Sequence, residues 1–427
     1  MSGQRSTKLG PAPEFTAIIL AGPGGNLAPL SDPENMPKCL LPVVNRAMIS
    51  YPLSWVEKAG ITHCLVLCLE EHETAIAAWM KQTWAKLSTA GLKPTLVATS
   101  SDDELVGSAD AIRLLMKNHT KHKIRSDVVI LACDTVCDAA PYALLDQHRL
   151  AEASFTALYH RQHGEDIMTP QKRASKTFTG YEAETNTLLL SQSEADLEGD
   201  ELEVRMSMLW KYPKVELTTT LQDCHLYVCK KWILDLIVNL PVLSRLNTEL
   251  LPLLCKAQFQ SLTRRKYDIR DDVRCSIHIM EQDPPVPFCG RVNMTQSYID
   301  INKHALRVTT QPRLGANVVL GDRSTVGPDS LVGADTLIDD KVTIKRTILG
   351  AHCKIGKMAR LTGCLIMDNV IIGDSVKLEN CTVGQGAVIG DRSSLRDCIV
   401  GGKYTVSDKM EAKSEHFVVG GEISMTL

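Results

Sequence analysis

A spacing of seventeen residues dominates the last quarter of this chain and restricts what that part can fold into. Gly356, Gly373 and Gly390 recur at this interval, and so do the aliphatic residues Ile355 and Ile372. Within one repeat, the apolar positions are separated by five, six and six residues. This pattern is typical of hexapeptide coils, with three short strands to a turn, that stack into a left-handed parallel β-helix. Such a solenoid stacks and docks, and it rarely performs chemistry by itself.

Three cysteines follow the same interval. Cys364, Cys381 and Cys398 are seventeen residues apart, and Thr347 occupies the equivalent position one coil earlier. A zinc or iron-sulfur site needs thiolates that converge on one point. Stacked coils instead place equivalent residues in a row, about 4.8 Å apart. We therefore interpret these cysteines as a column of small buried side chains.

Length and composition set the general class of the protein. The 427 residues allow two or three domains, and 44% hydrophobic with 23% charged residues is typical of a globular protein. The formal net charge of -3 provides no general attraction to DNA, RNA or an anionic membrane. The sequence has no run of eighteen or more apolar residues, so we expect no membrane span.

The cysteine content favours a reducing compartment. The segment Met1–Pro13 lacks the apolar core of a secretory signal, so the fourteen cysteines are interpreted as reduced cytosolic thiols. The pairs Cys64/Cys68 and Cys133/Cys137 lie in or beside apolar runs. His63 and His352 each adjoin a cysteine, but neither belongs to a spaced set of four zinc ligands. We expect no cofactor and no structural metal.

The first part of the chain alternates strands with helices. Short apolar runs at residues 15–22, 63–69 and 127–133 are typical of parallel strands that are covered on both faces. Helical patterns fall at about 49–59, 71–87 and 108–117. This alternation predicts a doubly wound α/β sheet of the Rossmann type.

The unusual residues follow the strands, where ligands bind in such sheets. The candidate nucleotide-binding residues are Gly22, Gly24, Gly25, Lys38, Gly107 and Asp134. Glycines let backbone N–H groups approach phosphate oxygens, a lysine adds a point charge, and an aspartate can hold a divalent metal that bridges phosphates. Each residue also has an ordinary explanation, since glycines make tight turns, most lysines are solvated, and aspartates cap helices. In combination and in this order they favour a nucleotide pocket.

One motif makes the resemblance specific. The segment Ala17–Val43 resembles LAGGxGTRLxPLTxxxPKPLLPV, the opening motif of sugar-nucleotide pyrophosphorylases, whose second domain is a hexapeptide solenoid. The resemblance implies a nucleotidyltransferase-like fold. It also implies that an arginine of the motif steadies the triphosphate and the departing pyrophosphate. This chain has Leu27 in that part of the loop and no arginine at all there.

Two more departures point the same way. The region Ser191–Val204 is acidic and lacks the sugar-contacting glutamate-lysine-proline motif, and Cys133 replaces a glycine before Asp134. We interpret the pocket as vestigial, with no catalytic residues retained. A metal at Asp134 is expected only if the pocket still binds a nucleotide.

Several separate segments are similar to gamma subunits of the eukaryotic guanine-nucleotide exchange factor for translation initiation factor two. They are Ala132–Asp138, Asp223–Leu234, Arg291–Lys303 and the closing EAKSEHFVVGGEI, within a similarity that runs from about Phe15 to the end. The resemblance implies a non-catalytic cytosolic subunit that pairs with the epsilon subunit. It also implies an assembly with alpha, beta and delta subunits and contact with translation initiation factor two. About 25 residues follow Gly402, too few for the helical exchange domain of epsilon.

Two other functions stay open at this point. One is an active sugar-1-phosphate nucleotidyltransferase, for example a guanylyltransferase that makes a sugar nucleotide. The other is a module that binds a nucleotide without cleaving it. The expected organisation is a flexible tail (1–13), a catalytically degraded nucleotidyltransferase-like domain (14–290), a linker helix (291–312), the β-helix (313–405) and a C-terminal segment (406–427).

Overall fold

The computed structural model describes residues 13–31, 36–99, 107–118, 124–161, 176–197, 202–280, 288–308, 312–418 and 424–425. The tail expected at 1–13 lies almost entirely outside these residues. By its internal contacts, the chain divides into two compact units, Met1–Gly22 with Tyr51–Gly290 and Pro23–Ser50 with Arg291–Leu427. Residues 23–50, which the sequence places inside the first domain, therefore group with the second unit. The five domain boundaries given above stay predictions.

Fourteen strands precede the solenoid in the described residues. They are β1 (Phe15–Ala21), β2 (Pro42–Val43), β3 (Arg46–Ala47), β4 (His63–Leu69), β5 (Thr95–Thr99), β6 (Asp127–Ala132), β7 (Thr135–Cys137), β8 (Phe155–Arg161), β9 (Thr177–Glu182), β10 (Thr187–Ser193), β11 (Val215–Thr218), β12 (Leu221–Cys229), β13 (Cys275–Met280) and β14 (Cys289–Arg291).

The α-helices are α1 (Ser50–Lys58), α2 (Glu70–Trp79), α3 (Ala85–Leu87), α4 (Ser108–Asn118), α5 (Pro141–Leu150), α6 (Met206–Lys211), α7 (Lys231–Asn239), α8 (Leu251–Ala257), α9 (Ser261–Tyr267) and α10 (Thr295–Val308). A π-helical turn, Met80–Trp84, joins α2 to α3, and a second one, Leu246–Leu250, precedes α8. Short 3-10 turns lie at Gly25–Leu27, Lys38–Leu40 and Glu194–Asp196.

The first unit is built on a ten-stranded sheet in the order β11-β9-β10-β13-β8-β12-β6-β1-β4-β5. Strands β6, β1, β4 and β5 run parallel, and Leu20 of β1 pairs with both Leu67 and Ala132. Strand β12 is antiparallel to β6 and to β8, and it leads to the extension that the sequence did not predict. The expected nucleotidyltransferase-like, Rossmann-type sheet is confirmed.

Helix α4 shows how the sequence pattern fixes the packing of this unit. Ala109, Ile112 and Leu115 recur at helical spacing and are buried. They belong to the same hydrophobic core as Ile233 and Ile237 of α7. Arg113 is buried as well, and its guanidinium donates to the carbonyls of Ile237 (3.0 Å) and Leu240 (2.9 Å). The apolar side of the helix lies in the core, and this arginine ties the helix to α7.

The solenoid strands are two or three residues long. They are β15 (Val319–Leu320), β16 (Thr325–Val326), β17 (Leu331–Val332), β18 (Leu337–Ile338), β19 (Thr343–Lys345), β20 (Ile348–Leu349), β21 (Lys354–Ile355), β22 (Arg360–Thr362), β23 (Leu365–Ile366), β24 (Ile371–Ile372), β25 (Lys377–Glu379), β26 (Thr382–Val383), β27 (Val388–Ile389), β28 (Ser394–Arg396), β29 (Ile399–Val400), β30 (Thr405–Val406), β31 (Glu411–Lys413), β32 (Glu415–Phe417) and β33 (Ser424–Met425).

These strands form three parallel sheets in which each strand pairs with the equivalent strand of the next coil, except that β33 runs antiparallel to β32. The pairing of Ile355 with Ile372 and of Ile372 with Ile389 places one buried ladder inside the coil. The left-handed parallel β-helix predicted from the spacing is confirmed. Its coils continue past residue 405, because β30, β31 and β32 still pair in parallel and Phe417 is buried.

The glycine interval has a steric cause. A Cβ on Gly373 would overlap Oδ1 of Asp391, and one on Gly356 would overlap Oδ1 of Asp374. These carboxylate oxygens accept hydrogen bonds from the previous coil, Asp391 from the N–H of Asp374 (2.8 Å) and Asp374 from the N–H of Lys357 (2.7 Å). Glycine therefore makes room for an aspartate that ties successive coils together.

The cysteines of the solenoid lie in a column. Cys364, Cys381 and Cys398 are buried, and each thiol donates to the carbonyl two residues before it, at 3.1–3.4 Å. All fourteen cysteines are buried thiols that form no disulfide within the described residues. None of the helices in the described residues combines the length and the apolar character needed to cross a lipid bilayer.

Candidate functional site

The carboxyl edge of the parallel strands brings two of the predicted residues to one place. Leu20 of β1 pairs with Ala132 of β6, and the N–H of Cys133 donates to the carbonyl of Leu20 at 3.0 Å. The chain then continues to Gly22 from one strand and to Asp134 from the other. Asp134 is buried and Gly22 is exposed. The parallel register of β1 and β6 places the carboxyl ends of the two strands side by side, as we expected for the segments that hold Gly22 and Asp134.

Packing does not require a glycine at Gly22. In the described part of the chain, no heavy atom lies within 4 Å of the position that its Cβ would occupy, and its φ is not left-handed. Gly22, directly after β1, is therefore exposed and its Cβ position is open. An uncovered backbone after a parallel strand is the arrangement that phosphate-binding loops use.

Gly107 has a structural reason that does not involve a ligand. A Cβ there would overlap the backbone carbonyl of Ser244, so only glycine allows this close approach. The N–H of Ala109 donates to that same carbonyl at 2.8 Å, and the N–H of Leu246 donates to Oγ of Ser108 at 3.0 Å. The start of α4, which the sequence assigned to the pocket, is thus engaged by the segment 244–246.

The other three predicted residues belong to the second unit. Gly24 has a left-handed φ of 81°, and its carbonyl accepts from the N–H of Leu27 (2.9 Å) and from Oγ of Ser31 (2.7 Å). The Leu27 side chain is 0% exposed. Gly25 is exposed and has no heavy atom within 4 Å of its Cβ position. The loop therefore carries a fully buried leucine and is held by its own hydrogen bonds.

Lys38 is buried within the second unit. It is 6% exposed, and its Nζ donates to Oδ1 of Asn293 at 3.2 Å. Its stem packs against Gly24, where an added Cβ would lie 2.5 Å from Cβ of Lys38. A buried ammonium group needs hydrogen-bond acceptors to offset its lost hydration. Lys38 therefore fastens the loop to Asn293, two residues before α10.

The segment after Lys38 is held in the same way. The Tyr298 hydroxyl donates to the carbonyl of Pro42 at 2.5 Å, and the N–H of Val44 donates to Oδ1 of Asn302 at 2.9 Å. Nδ2 of Asn45 donates to the carbonyl of Leu349 in the solenoid at 2.7 Å. Residues 36–50 thus form one packed body with α10 and the first coils.

Sequence reasoning missed one group of residues with metal-binding chemistry. His160, Cys224 and Cys289 lie in the first unit, and their potential ligand atoms are all within 4.8 Å of one another. Burial lowers the pKa of His160 to about 4 although the Asp223 carboxylate opposes that shift, so the imidazole is neutral at physiological pH. The three residues come from β8, β12 and β14. Short-range spacing, which is the sequence signal for a metal site, cannot detect them.

Comparison with protein families assigns both parts of the chain. Residues 16–166 match the model described as "Nucleotidyl transferase", and residues 313–412 match the one described as "EIF2B subunit epsilon LbH domain". The two matches coincide with the parallel half of the ten-stranded sheet and with the solenoid.

Three curated relatives carry one name, "Translation initiation factor eIF2B subunit gamma". The protein from Schizosaccharomyces pombe is 34% identical over 349 residues, which are 78% of this chain and 74% of the relative. The protein from Dictyostelium discoideum is 24% identical over 402 residues, covering 80% of this chain and 88% of the relative. The protein from Caenorhabditis elegans is 25% identical over 295 residues, covering 68% of each.

Proposed function

The chain belongs to the family of gamma subunits of translation initiation factor eIF2B, and from this premise we propose that it is a non-catalytic structural and regulatory subunit. In this proposal it pairs with the epsilon subunit, joins the alpha, beta and delta subunits in the cytosol, and helps to bind translation initiation factor two. The exchange of GDP for GTP is carried out by the partner subunit.

The observation that carries the non-catalytic part is the burial of Leu27. Where the resemblance to pyrophosphorylases places an arginine, this chain has a leucine that is 0% exposed. Stabilising the charge on a triphosphate requires a positioned, permanently charged donor. A buried leucine side chain supplies neither charge nor hydrogen bonds. This position of the loop therefore contributes to packing and not to stabilisation of a triphosphate.

The solenoid supports the partner-binding part. On the sheet that begins with β15, the register places Val319, Leu337, Lys354 and Ile371 in one row. Val319, Leu337 and Ile371 are all exposed. Three exposed apolar residues thus share this row with one lysine, and apolar residues gathered on one exposed face favour a surface that another protein covers. A homologous solenoid has matching coil spacing, so an epsilon-type subunit is a suitable partner.

Co-purification tests the pairing. Co-expression of this chain with the epsilon subunit of the same organism should give a stable complex on size exclusion. Replacing Leu337 and Ile371 together with glutamate should weaken that complex at least tenfold, because the two charges would have to be desolvated. Lys377→Glu, on a different sheet, is the control. A chain that stays monomeric beside epsilon contradicts the proposal.

A second candidate is an active sugar-1-phosphate nucleotidyltransferase. The match of residues 16–166 to the nucleotidyl transferase model and the retention of Asp134 at the end of β6 favour it. Pyrophosphate release from nucleoside triphosphates with sugar phosphates separates the two functions. We expect none, whereas turnover that disappears in Asp134→Ala would establish the enzyme. Calorimetric titration with GTP and ATP tests whether the pocket binds a nucleotide without cleaving it.

A further inference from the structure

The group formed by His160, Cys224 and Cys289 differs from the other buried cysteines of this chain. Among the residues that the structure describes, it is the one group of three or more His, Cys, Asp or Glu residues whose ligand atoms lie within reach of a single metal ion. All three residues are less than 10% exposed. Nδ1 of His160 lies 3.4 Å from Sγ of Cys224.

A β-bulge in the pairing of β8 with β12 places two of these side chains, His160 and Cys224, next to each other. His160 is near the end of β8 and pairs with Gln222 of β12, and the register between the two strands then shifts between Asp223 and Tyr227. His225, inside the bulge, has a left-handed φ of 52°. A bulge re-aims the side chains next to it. Here it leaves Cys224 beside the imidazole ring.

A fourth sulfur lies next to the group. Cys137 ends β7, which pairs with β14, and the N–H of Asp138 donates to the carbonyl of Phe288 at 2.9 Å. The thiol of Cys289 interacts with the thiols of both Cys137 and Cys224. Cys137 therefore interacts directly with one member of the group, Cys289. The N–H of Ala139 donates to Sγ of Cys137 at 3.4 Å.

The surrounding hydrogen bonds hold the candidate ligands in place. Oγ1 of Thr135 donates to the carbonyl of Cys224 at 2.9 Å and so ties β7 to the bulge. The Asp223 carboxylate accepts from the N–H of His225 at 2.8 Å and from the hydroxyl of Tyr227. Metal sites in proteins depend on such outer contacts to orient their ligands.

We propose that His160, Cys224, Cys289 and Cys137 form a structural Zn²⁺ site of the Cys₃His type. Three thiolates and one imidazole are a ligand set that zinc takes in closed tetrahedral sites. A buried site without solvent needs four protein ligands, so Cys137 completes the set by a change in its side-chain rotamer. The column Cys364, Cys381 and Cys398 lacks this chemistry, because its sulfurs lie in a row and no imidazole joins them.

The site would act as a staple for three distant parts of the first unit. It joins β8 and the bulge of β12 to the short pair β7 and β14. Strand β7 follows Asp134 directly, so the metal would fix the segment that leaves the carboxyl edge of the sheet. A crosslink between segments far apart in sequence restricts the unfolded chain most.

Metal content and cobalt spectroscopy test the site on the full-length chain. Protein purified without chelators should contain one zinc per chain by plasma mass spectrometry. After removal of zinc, Co²⁺ should give the intense visible and near-ultraviolet bands of tetrahedral thiolate coordination. Cys224→Ala should lose the zinc and these bands, whereas Cys229→Ala, a buried cysteine on the same strand but outside the group, should keep both. Cys137→Ala should weaken the bands, because the metal loses a sulfur ligand.

Two outcomes overturn the proposal. The first is a folded wild-type chain that carries no zinc and gives no thiolate bands with Co²⁺. The second is a disulfide between any two of Cys137, Cys224 and Cys289 in protein that was alkylated before digestion and analysed by mass spectrometry. If Cys224→Ala does not fold, the wild-type metal content and the Co²⁺ spectrum still decide the question.

Discussion

At the scale of single residues, glycines that look alike in the sequence have different structural reasons. Gly22 and Gly107 were both assigned to a nucleotide pocket. Gly107 is needed because the backbone of Ser244 passes where its Cβ would be, whereas the Cβ position of Gly22 is open. A glycine that packing requires says little about a ligand. Gly22 therefore remains a candidate for contact with a ligand. The packing against Ser244 explains Gly107 without a ligand.

Alanine substitutions separate these two reasons. Gly107→Ala should lower the free energy of unfolding of the first unit by about 1–3 kcal/mol, because the overlap is with backbone that cannot move cheaply. Gly22→Ala should change it by less than about 0.5 kcal/mol. Urea denaturation followed by tryptophan fluorescence measures both. Equal losses in the two variants would mean that the close approach to Ser244 is not rigid.

His148 makes the stability of the first unit depend on pH. Its Nδ1 is 2.7 Å from Oγ1 of Thr156, and its buried Nε2 has no hydrogen-bond partner among the residues that the structure describes. Burial, with help from the positive charges of Lys230 and Arg149 and against Glu14, lowers the pKa of His148 from 6.5 to about 4. The unfolded chain therefore binds more protons than the folded one between these values, so the contribution is complete above pH 6.5 and is lost as the pH falls towards 4.

Replacing this histidine should flatten that dependence. The shift corresponds to about 3 kcal/mol at most, so His148→Gln should lose less stability than the wild type between pH 6.5 and pH 4. The comparison concerns the slope of stability against pH, because the substitution also changes packing. Thermal unfolding at intervals across this range measures it. His63→Gln, at an exposed histidine, should keep the wild-type slope, and an unchanged slope in His148→Gln would refute the assignment.

At the scale of secondary-structure elements, the solenoid is held by an aspartate-glycine pair in each of several coils. Gly373→Ala should destabilise the second unit by about 1–3 kcal/mol through its overlap with Asp391. In an Asp391→Ala background the same change should cost less, because the overlapping carboxylate is gone. A double-mutant cycle in thermal unfolding should give a coupling of at least about 0.5 kcal/mol. Additive effects would show that the overlap is relieved elsewhere.

The sequence predicted those elements in which the spacing of apolar residues follows directly from the geometry of the helix, strand or coil. The stacked coils of the solenoid, helix α4 and the parallel strands β4 and β6 form where the sequence pattern predicts them. The glycines at seventeen-residue spacing end at Gly401. The strands that continue the coils to Phe417 lack this signal, so the sequence did not predict them. The helix expected at 71–87 is interrupted by a π-helical turn at Met80–Trp84, which no periodicity reveals.

The candidate site was less predictable, because its residues depend on contacts far apart in sequence. Register between neighbouring strands made the meeting of Gly22 and Asp134 predictable. The burial of Lys38 against Asn293 and the bulge that turns Cys224 toward His160 were not, since each joins segments that only the complete fold brings together. Local patterns contain no information on such pairs.

At the scale of the whole molecule, the second unit is discontinuous in sequence. It combines residues 23–50 with the chain from Arg291 onward. The motif that resembles the pyrophosphorylases is thus divided between the two units, with Ala17–Gly22 in the first and Pro23–Val43 in the second. The integrity of the second unit depends on hydrogen bonds that cross this long sequence separation.

Asn302 is the residue that tests this dependence most directly. It is 1% exposed, its Oδ1 accepts from the N–H of Val44 at 2.9 Å, and its Nδ2 donates to the carbonyl of Tyr298 at 2.9 Å. Asn302→Ala leaves the buried N–H of Val44 without its acceptor, which should cost about 1–3 kcal/mol. The loss should be local to residues 36–50 and α10.

Hydrogen exchange measured by mass spectrometry locates that loss. Peptides from residues 36–50 and from α10 should exchange faster in Asn302→Ala, while peptides from β1, β4 and β6 should keep the wild-type rates. Lys303→Ala, at an exposed position of the same helix, controls for a general effect of shortening a side chain there. Unchanged exchange at residues 36–50 would mean that this segment is not fastened through Asn302. The contacts of Lys38, Pro42 and Asn45 would then be the ones that keep residues 36–50 in place.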